Sequence, residues 1–200
     1  MAREYAALPV SPVPRGAGFA APHQQHAANV SLDDAALTGM TDLTRVSAVI
    51  IRPTDSIDEA LNRMRQRGVR LLLVVDPDRR VEGLITANDV LGEKPMRFVE
   101  ASGVRHAEIQ VKDIMTAADR LEAIPLANVA SAKVGHVVAT LRDAGRQHAL
   151  VVEPDGTGGS RVRGIFSATQ IARQLGLDEA AIQPTEIART FAEIEASLVR

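Results

Sequence analysis

The chain has 200 residues, 46% apolar and 2% aromatic, with 23 Lys and Arg against 25 Asp and Glu for a net charge of −2. This supports one sizeable core or two small ones that share an interface, and it gives no basic field to hold nucleic acid or an anionic membrane. The absence of cysteine removes disulfides, thiolate nucleophiles and cysteine-ligated zinc and fits a cytoplasmic protein, while no apolar run reaches the ~18 residues of a membrane span.

Residues 1–38 hold four of the ten prolines, mixed with Gly, Ala, Gln and His, and show neither a strand nor a helix period, so a flexible or loosely docked arm is expected. His23 and His26 within it have no third ligand in the pattern, and no metal site follows. Order is expected from Val46 to Ile51, a β-rich run stopped at Arg52-Pro53. Thr54, Asp55 and Ser56 offer N-caps for a helix whose stripe is Ile57, Ala60, Leu61 and Met64 and whose stop is Gly68. Leu71–Val75 reads as a buried strand, Asp76-Pro77-Asp78 as a turn, Val81–Ile85 as a second strand, and a short helix is expected from Asn88.

The second half repeats this order. Val134, Val137, Val138 and Leu141 form the stripe, Gly145 the stop, and Ala149–Val152 the buried strand. The separation from Ile57 to Val75 equals that from Val134 to Val152. The second hairpin is longer, through the glycine-rich stretch Gly156–Gly159, which lacks the Lys-Ser/Thr of a phosphate loop and reads as a hairpin tip. Each repeat closes on a short signature: Gly83-Leu-Ile-Thr-Ala-Asn-Asp89, then Gly164-Ile-Phe-Ser-Ala-Thr-Gln170. At the C-terminus Ile187, Phe191, Ile194 and Leu198 have helical spacing, a stripe that must pack on its own domain, a second copy or an effector. No nucleophile signature and no isolated carboxylate pair stands out, so no catalytic residue and no enzyme activity is expected.

The chain resembles the CBS-domain pair, or Bateman module, over about residues 40–176. The resemblance rests on Pro53 with Ile57, Ala60, Leu61 and Met64, on Leu73-Val-Val-Asp76, on Gly83-Leu-Ile-Thr86 with Asp89, and on Val111-Lys-Asp-Ile-Met115. It implies a stand-alone α/β (α+β) protein with two tandem β-α-β-β-α repeats packed through their sheets. The arm would cover 1–38, the repeats 39–95 and 111–176, a linker 96–110 and a C-terminal amphipathic helix 177–200. It also implies a homodimer, clefts between repeats for adenosine nucleotides such as AMP, ADP or ATP, a regulatory role, and a separate effector protein as partner.

Thr86 and Asp89 sit three apart at a strand-to-helix junction, where a carboxylate beside a hydroxyl suits the cis-diol of a ribose and a helix N-terminus favours phosphate. The same spacing is that of a capping box, a reading that weighs more heavily on Ser167 and Gln170, since Gln170 is neutral. By resemblance, the Asp89 cleft receives Ile124 and Pro125 against a base and Gln147 and His148 near phosphates. The corresponding residues of the Gln170 cleft are Ser47, Ala48 and Arg70. A ligand-free dimerisation module is the competing expectation.

Overall fold

The computed structural model describes residues 29–176. The C-terminal stripe and the His23/His26 pair lie outside them.

Local signals build the first repeat as the sequence predicts. β2 (Ile50–Ile51) leads into α1 (Ile57–Arg67), which is capped by Ser56, whose Oγ accepts from the Glu59 N–H at 3.1 Å. Asp58 and Glu59 in its first turn complement the helix dipole. Ile57, Ala60 and Met64 are buried, and Gly68 ends the helix at φ 62°, a left-handed position that glycine takes without strain. β3 (Leu71–Val75) and β4 (Val81–Thr86) then form an antiparallel hairpin. α2 (Ala87–Leu91) starts one residue before the Asn88 expected.

Only Ile50–Ile51 of the Val46–Ile51 run forms a strand. Thr44 to Ser47 are exposed and carry the chain from one sheet to the other. The segment 96–110 expected as a linker is not bare: α3 (Lys94–Ser102) begins just ahead of it, a 3₁₀ turn (His106–Glu108) follows, and Phe98, Val99, Val104 and the buried Ile109 pack on the first core.

The second repeat follows: α4 (Val111–Ile114), β5 (Thr116–Ala117), β6 (Ala123–Pro125), α5 (Leu126–Ala130), α6 (Val134–Asp143), β7 (His148–Pro154), β8 (Ser160–Ser167) and α7 (Ala168–Gln174). The stripe Val134, Val137, Val138 and Leu141 is buried as expected. At the hairpin tip the Asp155 carboxylate accepts from the N–H groups of Thr157 (2.8 Å) and Gly159 (2.9 Å). Its own carboxylate thus fills the place an anion would take.

The chain forms two four-stranded sheets, ordered β2-β3-β4-β5 and β1-β8-β7-β6, where β1 is Thr41–Asp42. Within each, a parallel pair (β2/β3, β6/β7) joins an antiparallel hairpin. All five residues of β3 are buried because each face has a partner. Leu72 and Val74 pack with Ile57, Ala60 and Met64 under the helices, while Leu71, Leu73 and Val75 meet Leu150 of the opposite sheet. The sheets therefore face each other through a third cluster, with helices outside both.

Each repeat opens with a short strand that completes the other. β5, at the start of the second repeat, pairs with β4 of the first; β1, at the start of the first, pairs with β8 of the second. Upstream, Ile109, Val111 and Ile114 enter the first core and Val30, Ala36 and Met40 the second. Residues 29–38, read as the end of an arm, are docked by bonds from the Ala36 N–H to the Ala132 carbonyl and from the Val134 N–H to the Asp34 carbonyl, both 2.9 Å.

Candidate functional site

The signature Gly83–Asp89 runs from the middle of β4 into the first turn of α2. Gly83 is where β5 crosses: a Cβ there would stand 2.5 Å from the Thr116 carbonyl oxygen. Three residues on, Thr86 caps α2 and forms a complete capping box with Asp89. Oδ2 of Asp89 accepts from the Thr86 N–H (2.8 Å) and the Thr86 hydroxyl (2.7 Å), while the Thr86 Oγ1 accepts from the Asp89 N–H at 3.2 Å. Oδ1 pairs with the Lys94 ammonium at 2.6 Å. The capping reading is thus realised, and it holds the carboxylate in one orientation.

This junction forms one wall of a cleft of about 350 Å³ built from both repeats. Thr86, Ala87, Asn88 and Asp89 come from the first; Gly145, Arg146 and Gln147, from the turn between α6 and β7, and His148, the first residue of β7, come from the second. Leu84, Leu121 and Leu150 give an apolar wall, and these three also belong to the cluster between the sheets. Three guanidiniums, Arg70, Arg120 and Arg146, line it against the carboxylates of Asp89 and Glu122. Arg146 pairs with Glu122 at 3.1 Å, and Arg70 donates to Asn88 Oδ1 at 3.2 Å. Size, an apolar wall and a few convergent polar groups are the usual attributes of a small-molecule site.

His148 is mostly enclosed, and burial first, then the nearby Arg70 guanidinium, push its pKa down to about 4, against a smaller opposing pull from Asp89. At neutral pH it is an uncharged ring that donates one hydrogen bond and accepts another. Burial and the neighbouring Arg173 guanidinium lower the pKa of Arg70, so its charged form is disfavoured where it stands. An anion in the cleft relieves that cost.

The structure brings Thr86, Asp89, Gln147 and His148 into one cleft, and adds Arg70, which was expected in the other. It does not bring Ile124 and Pro125 there. Ile124, paired with Val151, packs toward the core under the second repeat's helices, and Pro125 is exposed at the end of β6. Leu121 and Glu122 line the cleft instead, because β6 starts at Ala123 and the chain meets the cleft before it enters the strand. Of the remaining second-cleft residues, Ser47 is exposed and Ala48 packs between the sheets. Ser167 caps α7, with its Oγ 3.5 Å from the Gln170 N–H, and the Gln170 amide oxygen accepts from the Thr41 hydroxyl at 3.2 Å. Its amide is turned to β1.

Sequence reasoning missed Lys94, Arg120 and Arg146. Only Arg146 had a local signal, as the basic residue directly after the helix-ending Gly145. Among the described residues no group of His, Asp and Glu is placed to hold a metal ion, and no helix is long and apolar enough to cross a membrane.

The family model of the CBS domain matches residues 30–95. No curated protein matches the sequence. Among solved structures, an uncharacterized conserved protein from Pyrococcus horikoshii is 23% identical with a TM-score of 0.52, covering 72% of this chain and 93% of its own. A CBS-domain containing protein from Agrobacterium tumefaciens is 20% identical with a TM-score of 0.50, covering 68% and 93%. CBSX2 in complex with AMP, a CBS-pair protein of Arabidopsis thaliana, is 19% identical with a TM-score of 0.49, covering 70% and 94%. At these identities the likeness is one of fold.

Proposed function

We propose, from the CBS-domain match over residues 30–95 and the fold shared with CBS-domain structures, that the protein is regulatory and that the Asp89 cleft binds an adenosine nucleotide. The observation that carries this reading is the convergence, in about 350 Å³, of a fixed carboxylate, an apolar wall and three guanidiniums drawn from both repeats. Asp89 accepts the ribose diol, Leu84, Leu121 and Leu150 face the base, and Arg70, Arg146 and the neutral His148 meet the phosphates. Because the two walls belong to different repeats, a ligand that touches both favours one relative orientation, and its differential affinity sets the size of the switch. The protein then acts in the cytoplasm as a homodimer that reports this orientation to an effector, and it carries no catalysis of its own.

Calorimetric titration with AMP, ADP and ATP tests this. The parent binds at least one of them with saturation, and Arg146→Ala weakens binding about tenfold, the worth of one charge-assisted bond to phosphate. Absence of heat with all three, from protein free of bound nucleotide, refutes it.

A second reading, a ligand-free assembly module, is favoured by two observations. The Asp89 carboxylate is already engaged by Thr86 and Lys94. Leu91 and Met96, close in sequence on α2 and α3, are 64% and 61% exposed, an apolar surface suited to a second copy. A dimer that forms fully without nucleotide and gains nothing from it selects this reading.

A further inference from the structure

We propose that Lys94 is a competitor built into the cleft: its ammonium occupies the carboxylate that receives the ligand's diol, and a cis-diol displaces it and releases the linker between the repeats. The inference rests on the nucleotide reading above and goes beyond it by naming the residue that sets diol selectivity and carries the signal.

The argument is one of acceptor capacity. A carboxylate has about four lone-pair sites. The capping box uses both on Oδ2, through the Thr86 N–H at 2.8 Å and the Thr86 hydroxyl at 2.7 Å. Lys94 Nζ, at 2.6 Å, uses one of the two on Oδ1. A vicinal diol donates two hydrogen bonds, and a single hydroxyl donates one. A monohydroxylated sugar therefore fits beside Lys94, whereas a diol requires its place.

Lys94 is free to yield. It is the first residue of α3, the end where the helix dipole opposes a cation, and its side chain is 46% exposed against 12% for Asp89. Its second bond gives the displacement a consequence. Nζ also donates to the Ile114 carbonyl at 3.1 Å. Ile114 ends α4, two residues before β5, which completes the first sheet and leads to the cleft residues Arg120 and Leu121. One ammonium, on the helix that enters the linker, thus ties the Asp89 carboxylate to α4, the helix that opens the second repeat.

The test compares the full chain with Lys94→Met by calorimetry against adenosine and 2′-deoxyadenosine, and by amide hydrogen exchange without ligand. Lys94→Met should tighten adenosine about threefold to fivefold, the scale of a half-exposed ion pair, and leave 2′-deoxyadenosine unchanged. In the ligand-free variant, exchange should rise across Lys94–Ser102 and at Thr116, and saturating adenosine should produce the same rise in the parent. The proposal is overturned if the variant binds adenosine equally or more weakly, as a phosphate-directed or purely structural lysine would, if both nucleosides gain alike, or if exchange in α3 is unchanged. If neither protein binds any nucleoside or nucleotide, the nucleotide reading itself fails; if the parent binds and the variant shows no gain, only the role of Lys94 fails.

Discussion

Gly83 and Thr116 approach so closely that a Cβ on the glycine would lie 2.5 Å from the Thr116 carbonyl oxygen. That carbonyl is backbone of the exchanged strand β5 and cannot move without breaking its pairing to β4. At the equivalent Gly164, a Cβ meets instead the flexible side chain of Met40. Gly83→Ala is therefore expected to cost about 2–3 kcal/mol and Gly164→Ala clearly less, measured by denaturant unfolding. Equal costs would contradict the strand-crossing account of Gly83.

The cluster between the sheets offers a second check. Leu150 is 4% exposed and meets Leu71, Leu73 and Val75 across the interface. Truncation to alanine leaves a cavity between two rigid sheets, so Leu150→Ala should destabilise by about 2–5 kcal/mol. Leu91→Ala, at an exposed apolar side chain, should change the free energy of unfolding by less than about 0.5 kcal/mol.

Asp89 has a structural duty separable from ligand binding. Its capping box satisfies the Thr86 N–H, and Thr86 in turn satisfies an N–H of the first turn of α2. Asp89→Ala should cost about 1 kcal/mol by chemical denaturation in the absence of any ligand. Loss of nucleotide response in that variant must be read at a temperature where it remains folded.

His148 gives a pH signature with a definite sign. Its pKa is about 4 in the folded protein against 6.5 ordinarily, so between these values the unfolded chain binds a proton that the folded one refuses. Stability therefore falls as pH drops from about 6.5 to about 4 and is independent of this group above that window. The full effect is of order 3 kcal/mol at most. His148→Gln should flatten this part of the stability profile in urea titrations at pH 4, 5, 6 and 7; an unchanged slope would contradict it.

What could be read from the sequence was whatever a single segment determines. The stripe Ile57, Ala60, Leu61 and Met64, of which Leu61 is only partly buried, its stop at Gly68 and the five-residue run of β3 follow from local pattern, and the structure has all three. The signature pointed to Thr86 with Asp89, and the family resemblance, not any local pattern, set Gln147 and His148 beside them; the four line one cleft. What a segment does for its neighbour was harder to read. Ala36–Met40 plays for the second repeat the part that Val111–Met115 plays for the first, but Ala36 and Gly39 stand where Val111 and Ile114 stand, and small residues leave no apolar period. The cleft register failed for a similar reason: Leu121 and Glu122 face it from a loop, where neither helical nor strand periodicity applies. Lys94 was invisible because its ion pair with Asp89 depends on how α3 packs against α2.

The measurement that bears most directly on the nucleotide cleft is amide hydrogen exchange of the full chain with and without saturating ATP, AMP and ADP. The account predicts slowed exchange in two segments at once, Thr86–Leu91 of the first repeat and Arg146–Leu150 of the second, because one ligand contacts both walls. Protection of neither segment with any of the three nucleotides, or of one alone, would contradict a ligand that bridges the repeats.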